Sequence, residues 1–199
     1  MMRALMMLAV FAALTGCAIT SPFEASQEKI AASAYVDEGP PKLTVFTMVN
    51  NRSGSGGHTA LMVSGSQRVI FDPAGSFYHA DVPERGDVLY GISPGWVQAY
   101  KSAHARSTYH VVSQEFVVTP EQAERALQLV RSNGGVPGAF CTSATSSILQ
   151  QVPGFEDVDS TFFPIRLMEQ LEQRSGVVTD RYYENDEGEV RDGIVAAQG

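Results

Sequence analysis

The chain has 199 residues, 44% of them hydrophobic and 18% charged, with a formal net charge of −8 at pH 7. That acidity leaves no basic patch to replace the counterions of a phosphate backbone, which excludes nucleic acid as a partner. Once a leader and linker are set aside, about 155 residues remain, enough for one domain with one core.

In chain order, Met1-Met-Arg3 is a short positive segment and residues 4–14 form an apolar run too short to span a bilayer comfortably. Small residues, Thr15 and Gly16, then precede Cys17. This is the pattern of a bacterial export signal. "LTGC" resembles the lipobox of bacterial lipoproteins, which implies a signal peptide over 1–16 and diacylation of Cys17 as the first mature residue. Ala18 after that cysteine, rather than Asp, implies sorting to the outer membrane, facing the periplasm. A cytoplasmic chain with an apolar first helix is the alternative, but nothing supplies that helix with a polar face or a cap. Loss of 1–16 removes Arg3 and no acid, for a mature charge of about −9.

Residues 17–42 read as a lipidated N-terminus and flexible tether, mixing Ser, Ala, Glu and Pro without a stable period and closing on Gly39-Pro-Pro41. A single α+β domain is expected over 43–199. Leu43–Asn50 alternates as a strand, and 51–57, "NRSGSGG", is a loop. Residues 58–63 and 68–72 flank Ser64-Gly-Ser-Gln67 as a hairpin, ended by Pro73 and Gly75. Residues 94–104 predict a short helix and 107–118 a strand rich in Tyr, Val and Phe.

Thr119-Pro-Glu-Gln122 is a capping box with proline at the first helical position. The helix it opens carries Ala123, Ala126, Leu127 and Val130 inward and stops at Gly134-Gly135. A second helix begins near 139–141 with Ala144, Ile148 and Leu149 inward. A third opens around Phe163-Pro164 and runs past Ile165, Leu167, Met168 and Leu171 to Gly176. The acidic stretch 185–192 is a hairpin tip or a frayed tail. Strands first, helices later and short antiparallel connections argue for an antiparallel sheet packed against helices.

The chain has two cysteines. If Cys17 carries lipid, Cys141 has no intramolecular partner, and an unpaired thiol in an oxidising compartment is either buried and inert or kept for its thiolate. Cys141 falls where a helix begins, after Gly134–Gly138, and the positive end of a helix lowers a thiol's pKa. A thiolate nucleophile needs a proton shuttle, and there are four histidines. His58 opens a strand just after a Gly-rich loop, a position from which an imidazole reaches a cleft. His79 and His104 read as surface residues, and His110 as a half-buried strand residue. Asp72 ends the strand paired with that of His58, so the hairpin brings the two side by side. Asp-Pro after a strand is equally an ordinary turn opener.

"GGHTALMV", "IFDPAG" and "FCTSATSSIL" occur in the order histidine strand, polar residue on the next strand, cysteine at a helix start. They resemble the circularly permuted branch of the NlpC/papain-like superfamily, which includes lecithin:retinol acyltransferase-like proteins and bacterial YiiX/YaeF-like lipoproteins. The resemblance spans about half the chain and implies a permuted papain-like fold, with Cys141 as nucleophile, His58 as general base and Asp72 as orienting residue. "RGDVLY" (85–90) is similar to a Gly-Asp turn of that superfamily, but here it follows the histidine strand. The implied chemistry is an acyl-thioester at Cys141, its oxyanion met by the Cys141 amide and by Asn50 or Asn51, unless these are loop-formers.

The expected protein is therefore a lipid-anchored cysteine hydrolase or acyltransferase, acting on a peptidoglycan peptide or an acyl-lipid, with an amide preferred. No cofactor is expected, nor a metal, because no HExxH or paired-Cys spacing occurs. The alternative is a non-catalytic envelope lipoprotein or binding module on the same fold, which predicts a Cys141 remote from every histidine.

Overall fold

The computed structural model describes residues 24–185. The expected signal peptide and Cys17 lie outside the described residues, as does all of the acidic stretch except Asn185. Seven strands form one antiparallel sheet: β1 (Lys42–Asn50), β2 (Gly56–Ser64), β3 (Arg68–Phe71), β4 (Glu84–Arg85), β5 (Val88–Leu89), β6 (Tyr109–Val117) and β7 (Val178–Tyr182), in the order β4-β5-β3-β2-β1-β6-β7. Five helices accompany it: α1 (Gln27–Ala32), α2 (Pro94–His104), α3 (Pro120–Asn133), α4 (Cys141–Leu149) and α5 (Pro164–Glu172). The fold class is α+β.

Both faces of the sheet are covered. Leu43 and Val45 of β1, with Leu61 and Val63 of β2, pack with Leu127 of α3, Ile148 and Leu149 of α4, and Leu167 and Leu171 of α5. Phe46, Met48, Ala60 and Met62, which alternate with them, pack with Tyr100 and Ala103 of α2. Period-two alternation therefore puts apolar side chains in two cores rather than one core and water. This is why the interior of β1 is buried without a break.

The elements follow local chemistry. In α3, Thr119 and Gln122 cap each other's backbone, and Ala123, Ala126, Leu127 and Val130 form the buried stripe. Ser93 caps α2, with proline at the start of that helix. Ser64 pairs with Arg68, closing the β2–β3 hairpin over three residues, and Glu124 of α3 accepts from the Ser66 amide and hydroxyl at its tip. The two-residue strands β4 and β5 and the closing strand β7 are not evident in the sequence, because such short or exposed segments show no period.

The expected tether is not loose where the structure describes it. Ser26 caps α1, and Ile30 is buried in the same core as Leu61 and Leu127. Lys29 donates to the Ala80 carbonyl at 2.9 Å, Glu24 pairs with Arg85 at 3.2 Å, and Asp37 pairs with Arg68. A single well-placed apolar residue among polar ones escapes a periodicity reading, yet it suffices to dock an arm once the core offers it a seat. Replacing Ile30 with alanine is expected to destabilise the domain by about 2–4 kcal/mol in urea unfolding and to open the arm to proteolysis before residue 42. A loose tether would show neither effect.

Candidate active site

The β2–β3 hairpin brings His58 and Asp72 together. His58 Nε2 and Asp72 Oδ1 lie 2.7 Å apart across a sequence separation of 14 residues. Two backbone features aim the pair. The β1–β2 register slips between Met48↔His58 and Val49↔Gly56, which leaves Gly57 as an extra residue beside His58 and makes a bulge of the kind that redirects a side chain. A Cβ at Gly57 would come within 2.7 Å of the Tyr109 ring, so any larger residue there would have to displace that ring. On the other strand, β3 leaves the ladder after Phe71, and the Asp72 amide donates instead to the Asp87 carbonyl at 2.8 Å.

Asp72 is 4% exposed. Its Oδ1 also accepts from the Tyr100 hydroxyl of α2 at 2.6 Å. Gly75 lies against the same carboxyl: a Cβ there would meet Oδ2 at 1.8 Å. Burial alone would raise this acid, but the hydrogen bond and charge of His58, with the Tyr100 hydroxyl, hold it below its ordinary range. Burial likewise disfavours a charged His58, yet the Asp72 hydrogen bond and charge outweigh it and raise the imidazole to about 10.

Cys141 is the first residue of α4 and is 9% exposed. The preceding loop reaches it through Ala139 at φ 70°, and the N-cap residue Phe140 makes no side-chain cap. The opening amides of α4, that of Cys141 included, are thus left without a side-chain acceptor, a donor array suited to an anion. α4 is fastened to β2 by a 3.0 Å hydrogen bond between Thr142 Oγ1 and Thr59 Oγ1.

Cys141 lies close enough to His58 and to the Thr59 amide for both to act on its ionisation, and the Thr142 hydroxyl lies 3.8 Å from the sulfur. Asp72 engages His58 Nε2, which leaves Nδ1 as the ring nitrogen free for the thiol. Burial pushes the thiol up; the His58 hydrogen bond and charge outweigh it and lower it to about 7, from an ordinary value of 9.0. At neutral pH the pair is therefore an imidazolium beside a thiol that ionises readily.

All three residues expected to act together, Cys141, His58 and Asp72, do meet. Two supporting residues gave little sign in the sequence, Tyr100 and Asp87. Tyr100 read as part of an ordinary amphipathic helix. Asp87, at φ 62°, accepts on one carboxylate oxygen from the Ala74 amide at 2.9 Å and the Val136 amide at 2.7 Å. It thereby ties the turn after Asp72 to the loop before Cys141, and the Gly-Asp pair of "RGDVLY" was its only signal.

His104, expected at the surface, is buried, with its ring 6.0 Å from that of His58 and 12° from parallel. His79 is buried as well, its ring 4.4 Å from Trp96, because the loop before β4 folds over α2. Asn50 and Asn51 are loop-formers. Asn50 Oδ1 accepts from the Arg52 and Ser53 amides, and Asn51 Nδ2 donates to the Arg106 and Ser107 carbonyls.

A cavity of about 250 Å³ opens beside His58, lined also by Met48, Gly57, Ala74, Gly75, Ser76, His104 and Tyr109. Among the described residues no group of three or more His, Cys, Asp or Glu side chains is placed to hold a metal ion, and no helix is long and apolar enough to cross a membrane. Comparisons with protein-family models, curated proteins and solved structures return no match for this chain.

Asp72→Asn keeps an oxygen for Tyr100 and removes only the charge. His58 is then expected to titrate lower by about two pH units or more in ring-proton NMR, and the Cys141 thiolate to form at higher pH. An Asp72 that merely opened the turn would leave both titrations where they were.

Proposed function

We propose that this protein is a cysteine hydrolase or acyltransferase working through an acyl-thioester on Cys141, on a permuted papain-like fold, and anchored by lipid at Cys17 to the periplasmic face of the outer membrane. The observation that carries the reading is the contact of an unpaired thiol at a helix N-terminus with an imidazole that is itself charged by a buried carboxylate. A structural cysteine has no use for a lowered pKa, and two buried charged groups are costly to keep without a task.

In acylation, the Cys141 sulfur attacks a substrate carbonyl and forms the C–S bond. The carbonyl oxygen takes the displaced electron pair and turns toward the open amides at the start of α4. Collapse of the intermediate expels the leaving nitrogen or oxygen, which takes the proton from His58 Nδ1. His58 is then neutral and serves as base for the nucleophile that resolves the thioester. The substrate class is an amide in a cell-envelope peptide or an acyl ester. The "LTGC" signal supports the location, and the exposed Phe140 and Phe162, edge to face at 5.4 Å next to Cys141, offer apolar surface to a substrate. A serine hydrolase is not favoured: the Gly-x-Ser-x-Gly stretch Gly91–Gly95 does lead from β5 into α2, but Ser93 has unstrained extended backbone and its hydroxyl is engaged as the N-cap of α2, accepting from the Trp96 amide.

The test is the rate of iodoacetamide alkylation against pH in the full-length chain carrying Cys17→Ser, which leaves Cys141 as its one thiol. Reactivity is expected to rise through pH about 7, and in His58→Ala to rise only near the free-thiol value of about 8.5 or above. Turnover of p-nitrophenyl butyrate should climb through the same lower limb and decline as His58 loses its proton near 10; His58→Ala should lower it by about 10²–10⁴-fold. An unreactive thiol, or one indifferent to His58, would overturn the reading.

A further inference from the structure

We propose that the cavity beside His58 is the subsite for the leaving group and for the acceptor that replaces it, and that His104 Nε2 there accepts a hydrogen bond from an uncharged hydroxyl or amide of that group. The inference rests on the acyl-thioester reading above and adds to it which half of the substrate is recognised, and how.

His58 lines the cavity and Cys141 does not. The acyl carbon must lie on the sulfur, whereas the leaving heteroatom must reach the proton on His58. A cavity that touches the imidazole but not the sulfur is therefore on the leaving-group side of the scissile bond. By microscopic reversibility it is also where an incoming nucleophile stands.

His104 is 6% exposed, and its Nδ1 lies 2.8 Å from the carbonyl oxygen of Tyr100. A carbonyl can only accept, so Nδ1 carries the hydrogen. Burial, reinforced by the positive charges of His58 and Arg106, lowers the ring to about 4, so it is neutral at working pH. Nε2 is then a bare acceptor. It has no hydrogen-bond partner among the described residues, yet it is not sealed off, since His104 is part of the cavity wall.

A buried acceptor left open to a cavity is satisfied by what enters the cavity. No carboxylate lines the space, and the charged His58 is adjacent, so a cationic group is disfavoured. The remaining lining, chiefly Met48, Gly57, Ala74, Gly75 and Tyr109, is small or apolar. The fitting ligand is a compact neutral group with one donor hydrogen beyond its reacting atom.

When such an acceptor resolves the thioester, its oxygen bonds to the acyl carbon and its proton passes to His58 Nδ1. The C–S electron pair returns to sulfur, restoring the imidazolium and thiolate.

The experiment uses the full-length chain with Cys17→Ser, butyrylated by p-nitrophenyl butyrate, and offers two acceptors of equal shape, 1,3-propanediol and 1-butanol. They differ only in a terminal hydroxyl against a methyl. Transfer to the diol, counted per hydroxyl, is expected to be saturable and on the order of tenfold more efficient. His104→Leu should bring the ratio of the two products to about one, and because the ratio is internal it does not depend on how much enzyme folds. Ser76→Trp, at an exposed position on the rim, should lower transfer to both alcohols relative to hydrolysis. A butyryl-Cys141 that shows no diol preference, or one that His104→Leu leaves intact, would overturn the subsite while the hydrolase reading stands. Failure to form butyryl-Cys141 at all would overturn both.

Discussion

A single buried charge organises this molecule. Asp72 is almost completely withdrawn from water, and a carboxylate in that position is tolerated only if its oxygens are met by donors and its charge by a cation. Tyr100 supplies one donor and His58 supplies both a donor and the cation. The imidazole, charged for that reason, is what makes the Cys141 thiol easy to ionise. Removing the carboxylate would undo the chain in order: imidazolium first, readily ionised thiol second.

The fold's contribution is to bring three distant elements to this one carboxylate. The β2–β3 hairpin carries both His58 and Asp72, α2 brings Tyr100 from one face of the sheet, and α4, packed on the other face, presents Cys141 at its N-terminus. Two local devices make the meeting possible. The bulge at Gly57 redirects His58, and the departure of β3 after Phe71 leaves the opening residues of β2 with an unpaired edge, where the Thr59 amide acts on the ionisation of the sulfur. Asp87 then sets the spacing from outside by holding the Asp72 turn and the Cys141 loop on one carboxylate. A site spread over several elements in this way owes its geometry to the core rather than to any one loop.

Legibility in the sequence followed the range of each interaction. The capping box of α3, its four buried residues, the β2–β3 hairpin and the β1 strand were readable because their determinants lie within a few residues of one another. His58 and Asp72 were readable for the same reason, being two ends of one hairpin. Cys141 stood out through cysteine arithmetic, not geometry. Tyr100, His104 and Asp87 gave little sign: a tyrosine and a histidine one turn apart on an amphipathic helix look alike whether they face solvent, core or cavity. The docking of the 24–42 arm failed to show because it depends on one isoleucine and a few ion pairs to residues far along the chain.

The sequence by itself determined the acidic charge, the α+β class and the short list of cysteine, histidine and acidic side chains from which a site could be built, since composition, capping and hairpin periodicity are local properties of the chain. Only the tertiary structure decided which histidine meets the thiol, that a tyrosine holds the carboxylate, and that a second, neutral histidine faces the cavity. The physical reason is that ionisation and hydrogen bonding in a buried site depend on which groups share the same low-dielectric volume, and that sharing comes into being when the two faces of the sheet are packed.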